Sequence, residues 1–154
     1  MTATGPPYVD EHSTLVTTGP DEVWRALLDT LDHAFGRPAA AAYARAVRCR
    51  PPAATGPRPL TVGSTLPGFR VTIAEPGTAL VLEGRHHFST YALVVRLEPG
   101  AGGGTVLRAE TDAVFPGLRG RAYRTLVVGS SGHARGMRRL LGAVRRRAEA
   151  GPHG

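Results

Sequence analysis

Between residues 60 and 115 the chain is broken by Gly and Pro about every ten residues, and that rhythm limits the fold most. FRVTIAE (69–75) alternates apolar with mostly polar residues, and Pro76-Gly77 then turns the chain. TALVLEGRHHFS (78–89) and YALVVRLE (91–98) follow, then a glycine-rich connection at 99–104. TVLRAETDAVF (105–115) is closed by Pro116-Gly117. Short alternating segments joined by such turns predict an antiparallel meander. Period-two bookkeeping gives each strand two faces. Arg108, Glu110 and Asp112 share the watered side, so Leu107, Ala109, Thr111 and Ala113 point inward. By the same rule Arg96, Glu98, Glu83 and Arg85 point out. Tyr91, Leu93, Val95 and Leu97 point in, as do Leu82, Gly84, His86 and Phe88.

A sheet with one apolar face needs a cover, and the chain supplies helices on both sides of the meander. EHSTLVTT (11–18) is β-rich in its second half and is stopped by Gly19-Pro20-Asp21. Asp21 and Glu22 then place negative charge in a helical first turn, where the dipole favours it, and Val23, Trp24, Leu27, Leu28 and Leu31 follow at helical spacing. Pro38 opens a second, alanine-rich helix over 39–47. PPAATGPRP (51–59) is a loop or an irregular edge, too central to be a domain linker. Residues 118–148 read as one long helix. Tyr123, Val127, Ser130, Ala134, Met137, Leu141, Val144 and Ala148 share a face, and Gly129-Ser-Ser-Gly132 forms a kink. The expected class is α+β: a curved antiparallel sheet wrapped around a long C-terminal helix, the helix-grip arrangement, with two short helices after the first strand.

At 154 residues this is one domain, over 11–149, with tails at 1–10 and 150–154. The lone Cys49 has no partner for an internal disulfide and suits a reducing compartment. MTATGPPY at the start lacks the features of a secretory signal, and no stretch approaches the ~18 apolar residues of a spanning helix. A cytoplasmic location is expected.

The net charge is +7, and all 19 basic residues are Arg; Lys, Asn and Gln do not occur. That usage reads as the codon bias of a GC-rich bacterial genome. Residues 117–154 hold nine Arg and one Glu, whereas 1–116 carry ten Arg and eleven acids. Arg135, Arg138, Arg139, Arg145, Arg146 and Arg147 therefore make a charged outer stripe on the last helix. It is either a solvated face or an attraction for an anionic surface. Aromatics do not interleave with it and no nucleic-acid motif is present, so nucleic acid is disfavoured as a partner.

PDEVWRAL after the first strand and RGRAYRTLVVGSSGH…RRLLGAVRRRAE at the end resemble the SRPBCC superfamily. That superfamily joins START lipid-binding domains, polyketide cyclases and aromatases, and plant pathogenesis-related ligand-binding proteins. TVGSTLPGFRV…LVLEGRHHFSTYAL is similar to actinobacterial members. The resemblance spans roughly residues 11–149. It implies a hydrophobic cavity between sheet and C-terminal helix that binds lipids, polyketides, quinones or hormones in different members. No cyclase motif matches this chain residue for residue.

Chemistry candidates are few. His86 and His87 are adjacent on a strand, so they point to opposite faces and cannot chelate one metal together; neither metal nor cofactor is expected. His86 is either a hydrogen-bonded core histidine or a cavity acid/base. Ser130 and His133 lie in a helical pattern that does not fit the nucleophile elbow, which favours a kink over a hydrolase. The expected ligand wall comprises Phe69, Leu82, His86, Phe88, Tyr91, Leu93, Thr111, Tyr123, Val127, Ser130 and Met137. His86, Tyr91, Thr111 and Tyr123 would orient a small hydrophobic or aromatic ligand. The alternatives are a cyclase/aromatase-type enzyme using His86 or Tyr123, and an interaction module recruited to acidic surfaces by the arginine stripe. Membrane contact would be peripheral at most, and a monomer or homodimer is expected.

Overall fold

The computed structural model describes residues 8–86, 89–114 and 132–151, with the backbone alone at 8–9, 86, 89, 114 and 132–133. The meander predicted from the turn rhythm is present. Strands β1 (Tyr8–Val16), β2 (Thr65–Leu66), β3 (Phe69–Glu75), β4 (Ala79–His86), β5 (Ser89–Pro99) and β6 (Thr105–Val114) form one antiparallel sheet. Its order is β1-β6-β5-β4-β3-β2, so the first strand returns to pair with the last. Helices α1 (Pro20–Phe35) and α2 (Pro38–Ala46) follow β1, and α3 (Gly132–Glu149) follows the sheet.

The predicted faces recur. Leu107 and Ala109 on β6, Val95 and Leu97 on β5, and Leu80 and Leu82 on β4 are buried in one cluster. On the opposite face Arg108 bonds Glu98 at 3.0 Å and approaches Glu11 at 3.8 Å, while Arg96 lies 3.7 Å from Glu110. Pro20 sits in the first turn of α1 with Asp21 and Glu22, and Val23, Trp24, Leu27, Leu28 and Leu31 point into the core. The buried face of α3 is Met137, Leu141, Val144 and Ala148, steps of four, three and four that keep one stripe turned inward. It packs against α1 and β1. The helix end is tied down where Glu149 accepts a hydrogen bond from the Thr17 N–H at 2.9 Å.

Two boundaries differ from the sequence expectation. β1 begins at Tyr8, ahead of the predicted 11–18 segment. The segment at 78–89 is not one strand: β4 ends at His86 and β5 starts at Ser89, paired with it. Ile73 is exposed, because the β3–β4 register shifts between Val71 and Ile73. A bulge reverses the alternation beyond it, so Ala74 packs on the core instead. The last helix is described from Gly132 onward; the remainder of the predicted span and the Gly129–Ser131 part of the expected kink lie outside the described residues.

The proline-rich segment at 51–59 is an irregular edge held by side chains. Arg58 donates from Nε to Asp32 at 2.9 Å and from its terminal nitrogens to the carbonyls of Thr55, Pro57 and Thr65. Thr65 in turn donates to Ala53 O at 2.7 Å.

Candidate functional site

The inner face of the sheet has two unequal halves. Pairing aligns Asp10 with Thr111, Leu93 and Leu82 in one row, and His12 with Ala109, Val95 and Leu80 in the next. Toward the β1–α1 connection the face is closed: Val16, Leu107 and Leu80 retain no exposed surface. Toward the other end Asp10, His12, Thr111, Tyr91 and Phe69 are each half-buried. This is where small polar and aromatic groups share a surface that is neither solvent nor solid core.

The aromatic side is a ladder. Phe35, at the end of α1, meets Phe69 edge-on with ring centroids 5.2 Å apart, and Phe69 meets Tyr91 edge-on at 5.3 Å. Tyr91 is also anchored by its polar tip, donating from Oη to Gly68 O at 2.7 Å, with Cys49 Sγ at 3.7 Å. Burial pushes the Cys49 thiol up, against the opposing pull of the Tyr91 hydroxyl. Tyr91 therefore orients the β2–β3 turn as well as presenting its ring.

The polar side comes from β1, which the sequence reading passed over. His12 Nε2 lies 2.8 Å from Asp10 Oδ2, and the two side chains are 18% and 25% exposed. Their inward placement follows from Val16 by twos through Thr14. Thr111 stands opposite Asp10, and small Ala109 opposite His12. That period-two polar run ending in a buried valine is the signal that would have found them. No third His, Cys, Asp or Glu among the described residues joins them into a metal-binding group.

Of the predicted wall, Phe69, Tyr91 and Thr111 lie together on the half-buried surface. Leu82, Leu93 and Met137 belong to the buried cluster, Leu82 with no accessible surface at all. His86 ends β4, and its side chain lies outside the described residues, as do Phe88, Tyr123, Val127 and Ser130. On α3 the side chains of Arg135, Arg138, Arg139, Arg145 and Arg146 are exposed. Two of the stripe are ion-paired, Arg145 with Glu149 at 3.3 Å and Arg147 with Asp29 at 2.6 Å. Among the described residues no helix is long and apolar enough to cross a membrane.

No protein-family model and no curated protein matches the chain. Solved structures do. Protein CV1439 from Chromobacterium violaceum is 16% identical, with a TM-score of 0.54 over 96% of this chain and 100% of that one. A norcoclaurine synthase point mutant from Thalictrum, in complex with a transition-state analogue, is 12% identical, with a TM-score of 0.54 over 97% of this chain and 98% of that one. CalU16 from Micromonospora echinospora is 17% identical, with a TM-score of 0.51 over 91% of this chain and 83% of that one. At such identities the likeness shows the fold alone, and that fold is the helix grip.

Proposed function

We propose that the protein binds a small hydrophobic or aromatic ligand between the inner face of its sheet and its C-terminal helix, as an actinobacterial-type member of the SRPBCC superfamily. The observation that carries this reading is the half-buried end of the inner face. There the edge-to-face pair Phe69–Tyr91 shares a surface with Asp10, His12 and Thr111. Apolar contacts would supply the affinity at roughly 25 cal/mol per Å² removed from water, and a few polar groups would set orientation. The free thiol of Cys49 fits a cytoplasmic setting. Native mass spectrometry of the purified protein, with titration by a hydrophobic fluorophore such as anilinonaphthalene sulfonate, tests it. A bound small molecule or saturable binding at one site per chain is expected. A chain that carries nothing and binds the fluorophore without saturation would overturn the reading.

A second reading is turnover, with a cyclase- or aromatase-type role for His86 or Tyr123. It is favoured by one fold neighbour, the synthase solved with a transition-state analogue. Replacing His86 by Phe should then abolish turnover and leave the fold intact; unchanged turnover removes that residue's role.

A further inference from the structure

We infer that the Asp10–His12 pair is the polar anchor of the bound ligand, with the imidazole accepting a hydrogen bond from a hydroxyl on a flat, otherwise apolar molecule. This rests on the binding reading above and adds to it the residues and the chemistry of recognition.

Asp10 Oδ2 lies 2.8 Å from His12 Nε2. A carboxylate accepts and does not donate, so in the neutral imidazole the ring proton sits on Nε2 and Nδ1 is left as an acceptor. Among the described residues Nδ1 has no hydrogen-bond partner. The neighbouring charges on these two strands, Glu11, Arg108, Glu110 and Asp112, belong to the other face by alternation. Asp10 is thus the charged group on the inner face of β1 and β6 that sets the imidazole. The ring has room, because the residue opposite is Ala109.

The aromatic ladder lies on the far side of β6. Tyr91 on β5 lies two interstrand steps from β1 and four residues along the strands from the row of His12, about 16 Å between backbones. A fused aromatic ring system with its hydroxyl at His12 extends over the half-buried face toward the Tyr91 and Phe69 rings. Asp10 acts through His12 and is a positioning residue.

The test uses two probes of one shape on the full chain. 2-Naphthol carries a donor hydroxyl; 2-methoxynaphthalene does not. Wild type is expected to bind 2-naphthol about tenfold more tightly. His12→Phe should erase that preference, and Asp10→Asn should reduce it. In wild type, the 15N resonance of His12 Nδ1 should move on adding 2-naphthol and stay still with the ether, which settles the matter even where a variant fails to fold. Equal binding of both probes with an unmoved Nδ1 resonance would overturn the anchor and leave ligand binding standing. Failure of both probes to bind would overturn the binding reading and the anchor together.

Discussion

Gly84 lies beneath Tyr91, and the absence of a side chain there is what lets the Tyr91 phenol reach the carbonyl of Gly68. A Cβ at Gly84 would collide with Gly68 O and stand 2.9 Å from Tyr91 Cε1. Gly68 itself holds a left-handed φ of +88°, so the turn it makes has little freedom to retreat. One strand position thus controls both the β2–β3 turn and the aromatic ring at the proposed site.

Gly84→Ala is therefore a packing lesion with a functional consequence. Overpacking together with loss of the Tyr91–Gly68 hydrogen bond should cost roughly 2–4 kcal/mol. Urea denaturation should show a lower midpoint with an unchanged slope. An unchanged midpoint would mean that Tyr91 and the turn move apart freely.

Glu149 ties the end of α3 to Thr17. The backbone N–H of Thr17 and the Arg145 guanidinium hold its carboxyl below the usual glutamate range, against a smaller opposing effect of burial. A depressed folded pKa contributes stability that is present above the unfolded value and lost as pH falls through the folded one. Thermal melts of wild type should decline more steeply below about pH 4.3 than those of Glu149→Gln. Parallel curves would show the tie to be silent.

How much of this was legible in the sequence depended on where apolarity carried the information. Arg108, Glu110 and Asp112 are outward because a strand alternates, and the charges announce it. Met137, Leu141, Val144 and Ala148 are inward for the corresponding helical reason. β1 carried no charged alternation to announce its faces: its inner face begins Asp10, His12, Thr14, where the Asp10 carboxylate and His12 Nε2 bond one another. The facing of Ile73 was not legible because a bulge breaks the period that a strand otherwise keeps. The end of β4 at His86 was hidden for the opposite reason, since Arg85-His86-His87-Phe88 contains none of the residues that usually interrupt a strand.

Glu110 is held in the opposite sense. A hydrogen bond from a shared proton with Asp112, then burial and the Asp112 charge, raise its pKa, and Arg96 at 3.7 Å offsets this in part. For a carboxyl, a raised folded pKa means stability that is present below the unfolded value and lost as pH rises through the folded one. Glu110→Gln should be more stable than wild type at pH 7, by at most about 0.5 kcal/mol given solvent screening. The two should converge below about pH 4. A variant less stable at pH 7 would show that the Arg96 contact outweighs the repulsion.

Thr30 offers the clearest gain. It sits on the buried face of α1, 4% exposed, and its hydroxyl has no hydrogen-bond partner among the described residues. A buried hydroxyl without a partner carries a desolvation cost that nothing offsets. Valine keeps the β-branched shape and removes the oxygen, and helix propensity changes little between the two. Thr30→Val should therefore stabilise the fold by about 1 kcal/mol, read as a higher denaturant midpoint. Destabilisation instead would mean that the hydroxyl serves a polar group in the interior, and the ligand-binding titrations would then be the place to look for it.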